Sequence, residues 1–180
     1  MATATATETW SIDPTHSSAE FIVKHLMVSK VRGSFSNFKG TIVTPAGGNV
    51  PEKVSAEIDA ASISTNVADR DTHLRSADFF HIEQHPLITF ESTAVHQHDD
   101  EIEIEGDLTI HGVTRKVLLE GEFEGRAKDP WGNDRIAFSA QTKINRKDFG
   151  LGWNQALETG GVIVAEDVKI ELNVQAILQK

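Results

Sequence analysis

The stretch EIEIEGDLTIHGVTRKVLLEGEFEG, Glu101–Gly125, decides the fold. Ile102, Ile104, Leu108 and Ile110 fall on one side of a two-residue repeat, with Gly106 between them, and Glu101, Glu103, Glu105 and Asp107 fall on the other. Successive side chains of a strand point to opposite faces, so this is a strand with one face buried and one in water. After His111-Gly112 the repeat resumes, with Val117, Leu119 and Phe123 opposite Lys116, Leu118, Glu120, Glu122 and Glu124. Gly112 can take the positive φ that a tight hairpin needs, and strands joined so tightly pair antiparallel.

The same period extends outward. In SSAEFIVKHL, Ala19, Phe21, Val23 and His25 alternate with Ser18, Glu20, Ile22 and Lys24. SNFKGTIVT, KVSAEIDAASI, LITFESTAVHQ, RIAFSAQTKI and DVKIELNVQAI read as further strands, which makes about eight. DPWGND supplies another turn through Pro130 and Gly132. Strands that each carry one apolar face must pack as a sandwich or close as a barrel. An eight-stranded barrel leaves an interior just wide enough for side chains or one small ligand.

Length and composition narrow the function. The 180 residues match one domain, and the absence of cysteine removes disulfides, thiol catalysis and cysteine-zinc sites. A net charge of -10 argues against nucleic acid as a partner and against electrostatic docking on anionic membranes. The longest unbroken apolar run, Val162 to Ala165, is far short of the ~20 residues that cross a bilayer as a helix. The opening MATATATETW has no basic region and no apolar core, so it does not read as a secretory signal. Residues 1–8 are expected to be a disordered lead-in, 9–180 a single domain, and the protein a soluble cytoplasmic one.

The segment DRDTHLRSADFF, Asp69–Phe80, breaks the two-residue period. It predicts a short helix over 71–78, capped by Asn66 or Asp69. Asp69, Arg70, Asp71, Arg75 and Asp78 are expected to pair there, joined by Arg146 and Asp148, because a guanidinium binds a carboxylate through two parallel hydrogen bonds. His73, His81 and His85 could converge, but their spacing matches no zinc motif, and His96-x-His98 before Asp99-Asp100 reads as a solvated strand end. No G-x-S-x-G elbow occurs. Asp148-Phe149-Gly150 spells a kinase triplet without the rest of a kinase. No metal or cofactor is called for. Nine Phe and no Tyr are an uneven supply: Phe21, Phe35, Phe38, Phe90 and Phe138 either fill the core or line a cavity for an apolar ligand.

Five strings then resemble one family in order along the chain. WSIDPTHSSAEFIVKHLMVSKVRGSFSNFKG, RDTHLRSADFF, HPLITFES, GDLTIHGVT and INRKDFGL are similar to the YceI-like family of lipocalin-like polyisoprenoid-binding proteins, over nearly the whole chain from Trp10 to about Ile177. The resemblance implies an all-β fold, an extended eight-stranded antiparallel barrel with short helices near one end. It implies a hydrophobic channel for an isoprenoid chain, a quinone tail or a similar amphiphile, and a homodimer. Many relatives carry a signal peptide, which this chain is not expected to have, and Asp or Asn often stands where this chain has His81.

Alternation within such a barrel assigns Phe21, Val23, Phe35, Phe38, Leu74, Phe79, Phe80, Phe90, Leu108 and Phe138 to the lipid tail. His25, Arg70, Arg75, Asn145 and Arg146 are the candidates for its head group at the channel mouth. The expected function is to carry or store that lipid. The alternatives are an enzyme on an isoprenoid or small lipid, using His25 or Asp148 as acid or base, and a filled barrel that serves as an interaction module.

Overall fold

The computed structural model describes residues 4–155 and 163–180. Its strands are β1 (Thr7–Ile12), β2 (Ser18–His25), β3 (Ser29–Phe35), β4 (Phe38–Pro45), β5 (Lys53–Asp59), β6 (Ile63–Ser64), β7 (Leu87–His98), β8 (Glu101–Ile110), β9 (Val113–Lys128), β10 (Asp134–Asn145) and β11 (Val164–Leu178), with one helix, α1 (Ala68–Arg75). Eight of them, in the order β1-β4-β5-β7-β8-β9-β10-β11, close into an antiparallel barrel because β11 pairs back onto β1. β2 prolongs the line of β1 along the other half of β11, from Ser18 opposite Asn173 to His25 opposite Val164. β3 pairs with β2, and the two-residue β6 with β3.

The deciding stretch forms β8 and β9. Ile102, Ile104, Leu108 and Ile110 are buried, and Ile110 pairs with Val113 across a two-residue turn in which His111 and Gly112 have φ of 55° and 71°. Both central residues at positive φ match the strand twist, and glycine adopts that geometry without strain.

Three strands escape the sequence reading. β1, β3 and β6 are short and carry few apolar residues, so no alternation stands out in them. Thr7 and Glu8, expected in the lead-in, pair with Pro45 and Thr44 of β4, while residues 1–3 lie outside the described residues. The helix runs over 68–75 and not 71–78. Its cap is Val67, which makes no side-chain capping bond, and Asn66 stands outside it at a φ of 62°. Asp71 does the local work instead: its Oδ1 accepts from the Thr65 N–H at 2.8 Å and the Thr65 hydroxyl at 2.6 Å.

The two ends of the barrel differ. At one, Trp10, Ile42, Ile136 and Ala176 form a tight plug, with Trp10 donating to Thr44 Oγ1 at 3.0 Å and the Arg126 guanidinium 4.9 Å from its ring centre. Arg135 ties this end together through Asp13 at 2.8 Å and Asp129 at 2.9 Å. Hydrogen bonds from Thr15 and Arg135 outweigh burial and hold Asp13 well below the usual carboxylate range. Burial pushes Asp129 up, but bonds from the Asn133 N–H and from Arg135 outweigh it and hold that carboxyl at about 2. The other end carries α1, the β2–β3 and β8–β9 hairpins and the 3-10 turn Arg146–Phe149.

Candidate functional site

Between the ends lies a cavity of about 260 Å³, near the lower bound of about 300 Å³ for small-molecule pockets. It is long and narrow. Its wall on β11 runs from Val164 to Val174, roughly 30 Å of strand at about 3.3 Å per residue. Ile42 borders it towards the Trp10 plug, and Val23, Leu74, Leu151 and Val164 border it at the helical end. Glu20, Glu122 and Arg146 are the charged residues along it. Alternation turns both glutamate side chains outward, since Phe21 and Gly121 occupy the inward positions beside them. What remains inside is mostly Ile, Val, Leu, Ala and Phe, with Pro51, Gly121 and Thr142 among them and Arg146 at the helical end, a surface that attracts hydrocarbon and offers water almost nothing.

All ten residues assigned to the tail border this cavity. Phe21 and Phe35 lie tilted at 49° with 5.8 Å between ring centres, and Phe35 meets Phe80 edge-on at 6.0 Å, so a run of rings covers the side near α1. Two glycines shape the opposite strands. A Cβ at Gly33 would overlap the ring of Phe21, its cross-strand partner, and a Cβ at Gly106 would overlap the ring of Phe90. Both rings therefore lie back against bare backbone instead of projecting into the lumen. The aliphatic wall of Ile102, Ile104, Ile110, Leu119, Ile144, Ile170 and Leu172 was missed as a site, although the same alternation marks it. Leu151 has no such signal, because it lies in an irregular segment.

The head-group candidates divide. Arg146 borders the cavity; His25, Arg70, Arg75 and Asn145 do not. The expected arginine–carboxylate network does not form among the described residues. Arg70 donates from Nε to Thr65 Oγ1 at 2.7 Å and from a terminal nitrogen to the Thr65 carbonyl at 3.1 Å. Arg75 donates to the carbonyls of Ala61 and Ile63, each at 2.9 Å. Irregular connections around β6 leave carbonyls without strand partners, and these guanidiniums satisfy them. Asn145 caps the 3-10 turn by accepting from the Lys147 N–H at 3.0 Å. His25 sits at the last pair of β2, opposite Ser29 and Val164.

Arg146 is only 4% exposed. It donates to the carbonyls of Ala165 at 2.9 Å, Trp153 at 2.9 Å and Val164 at 3.1 Å, and also to that of Leu151. Burial pushes its guanidinium below the ordinary range, with Glu166 pulling the other way. Asn154 completes this junction by donating to the Val164 carbonyl at 2.7 Å and accepting from the Val164 N–H at 3.1 Å.

The histidines separate as well. His73 packs edge-on against Phe79 and Trp153, with Nε2 2.8 Å from Asp78 Oδ2, whereas His85 lies between His81 and His111, with ring centres 6.1 and 4.7 Å away. His111, absent from the sequence reading of this cluster, is pushed below the usual histidine range by burial and then by His85. Among the described residues no group of three His, Asp or Glu side chains is arranged to hold a metal ion.

A family model described as the YceI-like domain matches residues 10–176. A UPF0312 protein of Staphylococcus aureus (strain N315) is 41% identical over 167 residues, covering 92% of this chain and 95% of that protein. The crystal structure of a Campylobacter jejuni YCEI protein superposes with a TM-score of 0.76 at 29% identity, covering 87% of this chain and 90% of the other. A polyisoprenoid-binding domain from Saccharophagus degradans shares the fold, with a TM-score of 0.72 at 16% identity over 94% of this chain and 98% of that domain.

Proposed function

Because the chain belongs to the YceI-like family, we propose that it carries or stores one long apolar lipid of isoprenoid type, a polyprenyl chain or quinone tail, along the axis of its barrel. The observation that carries this reading is the cavity itself, long, narrow and walled by Phe, Ile, Leu and Val from Val23 to Val174. Each methylene buried there contributes about 0.8 kcal/mol, so a chain of several isoprene units binds tightly without directional contacts. Discrimination between chain lengths is loose, since one methylene is worth only about 1–3 kcal/mol. The polyisoprenoid-binding description of the Saccharophagus degradans domain, which has the same fold, agrees with this choice of ligand. A carrier is favoured over an enzyme because His25 and Asp148, the groups such chemistry would use, do not border the cavity. No helix among the described residues is long and apolar enough to cross a membrane, and the same reading takes the protein as a cytoplasmic homodimer.

Native mass spectrometry of protein purified from its own host tests the whole reading in one sample. The expected spectrum shows a dimer with one apolar lipid per protomer, unchanged in mass after incubation. An empty barrel would overturn the carrier, a chemically altered lipid would favour turnover, and a monomer mass would remove the dimer.

A further inference from the structure

The β2–β3 hairpin turns through Leu26-Met27-Val28, and three features there are unfavourable for a protein surrounded by water. Leu26 and Met27 both stand at positive φ, 54° and 61°, with the Val28 N–H donating to the His25 carbonyl at 3.2 Å. That is the geometry of a type I′ turn, which favours Asn-Gly or Asp-Gly; a leucine or methionine there is strained. The three side chains are 41%, 53% and 86% exposed and stand next to one another. Directly behind them Lys24 and Lys30 are cross-strand partners, like charge beside like charge. Neither makes an ion pair among the described residues, and the exposed Arg32 one step further pairs among them with Glu171, at 3.7 Å.

One partner relieves the last two and accounts for apolar side chains at a turn that favours Asn-Gly. An anionic bilayer takes an apolar tip into the boundary of its acyl chains and places phosphates beside the ammonium groups behind it. The tip is also where the cavity ends. Val23 and Val164 are the last wall residues on β2 and β11, Val164 pairs with His25, and the Leu26 N–H donates to the Ile163 carbonyl at 2.7 Å. We propose that Leu26-Met27-Val28 is a bilayer-docking element that inserts among anionic lipids, with Lys24 and Lys30 against their phosphates, and brings the end of the barrel to the membrane. The chain-wide charge of -10 opposes docking elsewhere, so contact is confined to this tip and weakens with salt. That lipid is exchanged during docking rests on the carrier reading; the docking does not.

The test is flotation with vesicles of phosphatidylcholine, alone or mixed with phosphatidylglycerol. The wild type is expected to float with the mixed vesicles at low salt and to leave them at high salt. Leu26→Asn with Met27→Gly installs the preferred turn, so the double variant should melt at a higher temperature yet partition at least about tenfold less. Lys24→Gln with Lys30→Gln should lower partitioning by about 25-fold, roughly fivefold per lysine. Trp131→Ala, which removes an 80% exposed side chain in the acidic β9–β10 turn at the other end, should change nothing. A wild type that stays with the buffer overturns the proposal, as does a tip variant that floats like the wild type. A tip variant that turns a dimer into a monomer, beside a wild type that never floats, assigns the tip to a second copy of the chain and overturns it too. Native masses of the same samples keep the two readings apart: lipid retained in a variant that no longer floats supports docking and leaves the carrier intact, while a wild type that floats empty strikes the carrier alone.

Discussion

Protein carrying Gly33→Val is expected to leave its host with at least about tenfold less bound lipid than the wild type. Gly33 lies opposite Phe21, and any Cβ there overlaps the phenyl ring. Its φ is not in the left-handed region, so the backbone accepts valine without strain. The ring must move, and Phe35 and the Phe35–Phe80 contact leave the lumen as its open direction. A displaced phenyl then occupies the space a hydrocarbon chain would thread. Overpacking costs about 1–3 kcal/mol, which a barrel of this size survives. Phe21→Ala in the same background removes the displaced ring and should restore lipid, a recovery that simple misfolding would not show. Equal lipid in Gly33→Val and wild type would mean that the chain does not pass Phe21.

Arg146→Ala is expected to lose about 3 kcal/mol of stability, the cost of leaving two or more buried carbonyls without donors. The guanidinium gathers carbonyls from Leu151, Trp153, Val164 and Ala165, so it fastens the segment after β10 to the start of β11. Arg146→Lys should rescue little, because an ammonium has three donors from one point and cannot span four acceptors in a fork. Urea unfolding reads this as a lower midpoint at unchanged slope. A loss under about 1 kcal/mol, no more than a single ordinary hydrogen bond, would show that Arg146 is held for the ligand and not for the junction.

The barrel was legible wherever a strand carries one wet and one dry face over many residues. Ile102 to Ile110 alternate without error, and a slip of one residue would turn every one of them outward. β1 and β3 were not legible, because each is short and carries too few apolar residues for an alternation to stand out. The turn at Leu26-Met27 was hidden for another reason: it contains no Gly, Asn or Asp, so SSAEFIVKHL reads as strand through Leu26. Phe21, Phe90 and the other rings declared inward apolar positions by type and parity, but not whether they fill a core or line a cavity. The arginines did not declare their partners. Arg70, Arg75 and Arg146 sit among carboxylates in sequence, but irregular loops fold unpaired carbonyls against them, and which carbonyls a loop leaves over is settled only by the tertiary fold. His111 joined His85 through a hairpin meeting the segment after α1, a contact no spacing announces.

The central claim is that hydrocarbon lies inside the barrel and not on it. Photo-crosslinking with a diazirine-bearing polyprenyl alcohol, followed by peptide mapping, tests it directly. Adducts are expected on the inward positions of β2, β7, β8 and β10, at Phe21, Phe90, Leu108 and Phe138, and they should fall together in Gly33→Val. Adducts confined to exposed apolar residues such as Leu118, Trp131 and Val28 would contradict it.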